Sequence, residues 1–230
     1  MSASLQLVLL GHGKTGSLVE EVARERGHSV RILEAEENAD GSAITRDSMQ
    51  GVDAVIDFTT PAAVVGNIAA CAAAGVNMVV GTTGWQQKLD SIRPMVEESG
   101  IGFVWGSNFS IGVNLFFNVA KAVASAQKHG YRMQIAEKHH IHKKDAPSGT
   151  AVTIQQILAS QGGEAPPIES IRDGEIVGTH VMLLDGPDDT MMLVHDAKSR
   201  RGFADGAVRV AEWVKGKSGF YEFKDIYSEV

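Results

Sequence analysis

The stretch from Glu137 to Ala151 reads EKHHIHKKDAPSGTA, and it concentrates residue types that move protons and hold anions. Three of the chain's eight histidines, His139, His140 and His142, fall within its first eight residues, with three lysines among them. Histidine titrates near neutrality without help, and lysine is a compact cation. Asp145 and Pro147 are turn residues, and Ser148-Gly149-Thr150 opens a helix whose first N–H groups can face an anion. A basic run taken alone reads as a solvated loop. The capped helix behind it shifts the reading toward an anion site. Geometry adds a condition if His139 and Lys143 are to act on one small molecule: in a straight strand they would stand about 13 Å apart. The strand must therefore end near His139 and the chain must curl, bringing Lys143 back.

A second set of residues has the chemistry of a dinucleotide site. Gly11-x-Gly13-x-x-Gly16 lies between a short apolar run, Leu5–Leu10, and a helical pattern built on Leu18, Val19, Val22 and Ala23. Glycine is required there for a tight turn, for close approach of backbone to a pyrophosphate, and for close helix–strand packing. Glu34 follows the second strand, and a carboxylate there accepts both ribose hydroxyls and repels a 2′-phosphate. That favours NADH over NADPH. Glu36 and Glu37 compete for the role, and Lys14 could reach a 2′-phosphate. Three further strand ends are small and polar: Thr59-Thr60, Gly81-Thr82-Thr83-Gly84 and Ser107-Asn108-Phe109-Ser110. Ligands sit at such carboxyl ends in open parallel sheets.

These residues need elements to hold them. Apolar runs at 5–10, 30–33, 52–58, 76–80 and 101–105 alternate with helical patterns, which predicts a Rossmann-like, doubly wound parallel sheet. The pattern changes after Ser110. A long amphipathic helix over 111–128 precedes a strand over 131–139, a helix over 150–160, and strand-like runs at 168–172, 176–184 and 190–196. This predicts a second, α+β domain with an open mixed sheet and helices on one side. A last helix spans 203–214, followed by a short tail over 220–226. The expected domains are 1–109 with 207–230 for the dinucleotide, and 110–206 for the substrate. Closure about hinges near 108–112 and 203–206 would join the two for hydride transfer.

Composition sets limits. The 230 residues carry a formal net charge of −7, which argues against a general nucleic-acid surface. The run 5–10 is too short for a membrane span and lacks a basic leader. The single cysteine, Cys71, lies among alanines and excludes an internal disulfide. A reducing cytoplasm is expected. Adjacent histidines at a strand end rarely converge on one ion, so no metal is expected.

GTTGW, SNFSIG, EKHHIHKKDAPSGTA, RDGEIVGTH (172–180) and RRGFADGAVRVAEWV (200–214) resemble, in this order, the 4-hydroxy-tetrahydrodipicolinate (dihydrodipicolinate) reductase family. The element H-H-x-x-K-x-D-x-P-S-G-T is the most specific part. The resemblance implies that NAD(P)H gives a hydride to C4 of a cyclic imine dicarboxylate, with loss of water, in lysine and diaminopimelate biosynthesis. It implies His139 as the proton donor or acceptor and Lys143 as a second acid facing substrate. His140 would bind substrate, with Gly149 and Thr150 gripping a carboxylate. It places the cofactor on Gly11, His12, Gly13, Lys14, Thr15, Gly16, Glu34, Gly81, Thr82, Thr83, Ser107, Asn108, Phe109 and Ser110. It also implies a homotetramer built by pairing of second-domain sheets. The chain departs from the pattern in two places. Its cofactor loop reads GHGKTG where many members have a basic residue followed by methionine. Ala35 follows Glu34, so the arginine that commonly serves NADPH is missing.

Overall fold

The computed structural model describes residues 4–230. The chain forms two compact units, one comprising residues up to Ser110 and from Arg201 onward, the other Ile111–Arg200. The first begins with β1 (Gln6–Leu10), α1 (Lys14–Glu25), β2 (Ser29–Leu33), β3 (Ala54–Asp57), α2 (Val64–Ala74), β4 (Asn77–Val80), α3 (Leu89–Ser99) and β5 (Gly102–Trp105). The apolar runs of β1, β3, β4 and β5 are short because each of these strands crosses the core once and is covered on both faces. Leu9, Val55, Ile56, Met78, Val79, Phe103 and Val104 are all buried, as a parallel sheet demands. Gly75 and Gly100 close α2 and α3 in the left-handed conformation, which only glycine adopts freely.

The second unit runs α4 (Ile111–Val123), a 3-10 segment (Ala124–His129), β6 (Arg132–His139), α5 (Gly149–Ala159), β7 (Ile168–Arg172), β8 (Thr179–Asp185) and β9 (Thr190–Asp196). Its four strands lie in the order β7-β6-β8-β9. β6 pairs parallel with β7 and antiparallel with β8. Strand alternation sends Met133 and Ile135 to one face, where they pack with Phe116 and Phe117 of α4 and with Ile154 and Leu158 of α5. The other face carries Ile171, Met192 and Val194, all exposed.

The chain then returns to the first unit through α6 (Arg201–Val214), β10 (Gly219–Glu222) and α7 (Phe223–Ile226). The return comes at Arg201, six residues before the boundary expected at 207. The reason is continuity: Phe203–Gly206, expected to be a hinge, lies inside one unbroken helix. There Gly206 lets the Phe109 carbonyl approach to where a Cβ would stand 1.8 Å away. The expected tail is also more than a tail. β10 pairs parallel with β5, and the first sheet has six strands in the order β10-β5-β4-β3-β1-β2. Phe220 of β10 stacks on Phe103 at 4.8 Å, which holds the added strand to the core.

Candidate active site

β6 ends at His139, and the chain turns at once. The His140 amide donates to Ile176 O at 2.7 Å, and the Lys143 amide donates back to His140 O at 3.1 Å. That is the curl the spacing argument required. Lys143 Nζ pairs with Asp145 at 2.8 Å, and Arg172 Nη2 donates to the Asp145 carbonyl at 2.6 Å. Ser148 caps α5 by accepting the Ala151 amide at 3.3 Å, so Gly149 and Thr150 form the first turn of that helix. His140 Nε2 lies 3.1 Å from Arg200 Nη2. His142 is exposed and only loosely near Glu175, at 3.6 Å.

Glu137 and His139 share the helix-covered face of β6, two residues apart, and both are buried. One Glu137 oxygen accepts a hydrogen bond from His139 Nδ1. The other accepts Arg172 Nη2 at 2.8 Å and the Ser148 amide at 3.3 Å. Burial alone would raise the carboxyl, but the Arg172, Ser170 and His139 hydrogen bonds hold it below the ordinary carboxylate range. For His139, burial lowers the pKa, and Glu137 offsets part of that by favouring the imidazolium. A carboxylate only accepts, so Nδ1 carries a proton and Nε2 is the nitrogen free to exchange one. Gly178 lies beside that nitrogen, where a Cβ would stand 2.9 Å from it. Glycine keeps this edge of the ring clear. His180 faces Glu137 across the β6–β8 pair, touches Ser148 Oγ at 3.1 Å, and is pushed down to about 4 by burial and then by His139.

Glu137, His139 and His180 bring ligand atoms within 4.8 Å of one another. The Arg172 guanidinium already neutralises the same carboxylate, so the cluster carries a fixed counter-ion. Sequence reasoning named Ser148 only as part of the helix start, and gave no role to Glu137 or Arg172. The available signal was the period of two: a residue two places before His139 shares its face.

The dinucleotide loop shows why each glycine is there. Gly11 has φ +83, and a Cβ on it would stand 2.4 Å from the Phe58 carbonyl oxygen. A Cβ on Gly16 would stand 2.0 Å from the Gly11 carbonyl oxygen. Gly13, the N-cap of α1, meets nothing within 4 Å. The fold itself does not require glycine there, whereas a pyrophosphate lying on the helix start would. The residues therefore fit a bound dinucleotide. His12, Gly13 and Lys14 are exposed around that helix start, with Thr15 half-buried. No acid lies in the first turn to repel a phosphate. A cleft of about 310 Å³ beside Gly11 is lined by Glu34, Asn38, Asp40 and Thr60 among others.

At the neighbouring strand ends the predicted cofactor residues divide. Thr83 and Ser107 are exposed, and Asn108 accepts the Ser110 amide at 2.9 Å. Gly81 lets the Phe58 ring approach to where a Cβ would stand 2.2 Å away. The Thr82 side chain is buried and turned inward, donating to Asp57 Oδ1 at 2.7 Å. Phe109 is buried against Phe58 and Phe223. Both of these side chains support the loops from inside.

Comparison with known proteins agrees across the chain. Residues 5–109 match the family described as dihydrodipicolinate reductase, N-terminus, and residues 112–227 match its C-terminus. The 4-hydroxy-tetrahydrodipicolinate reductase of Christiangramia forsetii is 32% identical, over 98% of this chain and 99% of that protein. The reductase of Laribacter hongkongensis is 37% identical over 76% of this chain and 72% of its own length. A solved structure, dipicolinate-bound dihydrodipicolinate reductase from Paenisporosarcina sp. TG-14, shares the fold with a TM-score of 0.76 at 22% identity. It covers 97% of this chain and 100% of that one. Two family matches covering both units, and a full-length relative above 30% identity, place the chain in the 4-hydroxy-tetrahydrodipicolinate reductase family, NAD(P)H-dependent oxidoreductases that reduce 4-hydroxy-tetrahydrodipicolinate to tetrahydrodipicolinate with loss of water in lysine and diaminopimelate biosynthesis.

Proposed function

We propose that within this reaction His139 handles the proton and Lys143 supplies both charge and a second proton. His140, Gly149 and Thr150 hold the dicarboxylate. The observation that carries this reading is the buried Glu137–His139 pair, anchored by Arg172 and set beside the start of α5. The pair fixes one imidazole tautomer and keeps the ring from rotating. The first turn of α5 offers N–H groups to an anion, and Lys143 adds a cation a few residues away. The dipicolinate held by the Paenisporosarcina structural relative is a planar dicarboxylate, and it supports the same ligand class here.

Bound at the glycine loop, the reduced nicotinamide supplies the hydride. We assign its binding to Gly11, His12, Gly13, Lys14, Thr15, Gly16, Glu34 and the loops 81–83 and 107–110. Glu34 at the cleft, followed by Ala35 rather than arginine, favours NADH. The exposed apolar face of the second sheet favours assembly as a homotetramer, and the single buried Cys71 suits a cytoplasmic protein. Among the described residues no helix is long and apolar enough to cross a membrane.

A coupled assay tests the cofactor claim. The preceding synthase condenses pyruvate with aspartate semialdehyde, and oxidation of NADH or NADPH is followed. NADH is expected to show the lower KM. A much lower KM for NADPH would remove the Glu34 argument and leave the reductase assignment standing.

A further inference from the structure

Asp57 ends β3 and is fully buried, yet among the described residues no arginine, lysine or histidine forms an ion pair with it. Four hydrogen-bond donors contact it instead. Its Oδ1 accepts the Thr59 amide at 2.9 Å, the Thr59 hydroxyl at 2.7 Å and the Thr82 hydroxyl at 2.7 Å. Its Oδ2 accepts Asn67 Nδ2 at 2.8 Å. Asn67 Oδ1 in turn accepts Asn38 Nδ2 at 2.9 Å, and Asn38 Oδ1 accepts the Ala43 amide at 3.2 Å. Asn38 and Asn67 are buried on the floor of the cleft beside Glu34.

This chain of bonds has only one possible direction. An amide side chain can be turned round, exchanging donor for acceptor. The two ends cannot. The Ala43 N–H only donates, and a carboxylate at 57 only accepts. Both asparagines are therefore fixed in orientation, and the segment after β2 is tied through them to the loop after β4.

We infer that Asp57 is a positioning residue for the cofactor, anchoring a one-way hydrogen-bond relay that holds the ribose-side loop around Glu34 and the Gly81–Thr83 loop in a single arrangement. The inference rests on the proposed cofactor site. Asp57→Asn supplies a donor where an acceptor was required. Asn67 and Asn38 can both turn to meet it, but Asn38 then presents its NH2 to the Ala43 N–H, and the mismatch emerges at the ribose-side loop. Asn38→Asp alone produces the complementary fault, an oxygen facing an oxygen between Asn67 and Asp57. Together, Asp57→Asn and Asn38→Asp restore a donor for every acceptor, with the relay running the other way.

The test compares wild type, both single variants and the double variant by NADH titration, followed through nucleotide fluorescence, and by thermal melting without cofactor. Each single variant should weaken NADH binding by about tenfold or more, the effect of one unsatisfied buried polar group. The double variant should recover most of that loss. In turnover, the rise should fall on the cofactor KM, with the KM for the dicarboxylate little changed. Single variants that bind NADH like wild type, or a double variant that binds no better than the singles, would overturn the relay. Failure of the wild type itself to bind NADH or NADPH would instead indict the cofactor site.

Discussion

Replacing Glu137 by Gln keeps the shape of the side chain and removes its charge. The Glu137 carboxylate favours the protonated form of His139, working against burial, so its loss lowers the His139 pKa further. If the protonated imidazole donates, activity that falls as pH rises should fall from a lower pH in the variant. The expected result is a kcat reduced by up to about 10²-fold, within the range a positioned acid or base contributes, and a descending limb displaced toward acid. A pH–rate profile of kcat checks this, and an unmoved limb would separate Glu137 from the proton. Stability must be followed alongside, because Arg172 is left facing a neutral amide, a change that can cost a few kcal/mol in a buried pair. The density of histidine and lysine around 139–143 was legible from residue type, and the family resemblance singled out His139 and Lys143 within it. Glu137 and Asp57 were not, because what makes each carboxylate important is burial. For Glu137 that burial depends on Arg172, thirty-five positions along the chain.

The turn from β1 into α1 separates two kinds of glycine. Gly16→Ala drives a methyl group into the Gly11 carbonyl, so it should destabilise the protein by about 1–3 kcal/mol, as overpacking does. Gly13→Ala has open space around the new methyl and an ordinary φ of −77. It should leave the melting temperature nearly unchanged and weaken NAD(P)H binding by about tenfold, since only a bound pyrophosphate would meet the methyl. Calorimetry and a binding titration on the two variants distinguish these effects. A Gly13→Ala protein that binds like wild type would move the pyrophosphate elsewhere. At this scale the first five strands were readable from apolar runs bounded by glycine. β10 was not: its four residues, GFYE, are all half-buried, and they gain strand character only from the partner edge of β5. The hinge expected near 203–206 falls within α6, where Gly206 admits the Phe109 carbonyl and the helix runs on unbroken.

For the whole molecule, the open face of the second sheet is where assembly should register. Met192 and Val194 are 66% and 53% exposed, on the face opposite the helices. Patches of this kind mark contact surfaces more often than free ones. Light scattering on the wild type should give the mass of four chains, and Met192→Asp with Val194→Asp should give a smaller assembly. An unchanged mass would assign the contacts to another surface. The ladder of the first sheet has a further consequence, in time rather than in space. β5 is complete at Trp105, but its partner β10 ends at Glu222, 117 residues later. At about 5–20 residues per second a ribosome needs roughly 6–23 s to deliver it. During that interval the second unit has emerged in full, while the first waits with one edge of its sheet unpaired. The first unit begins first and is completed last, and the nascent chain must guard that edge until its final strand arrives.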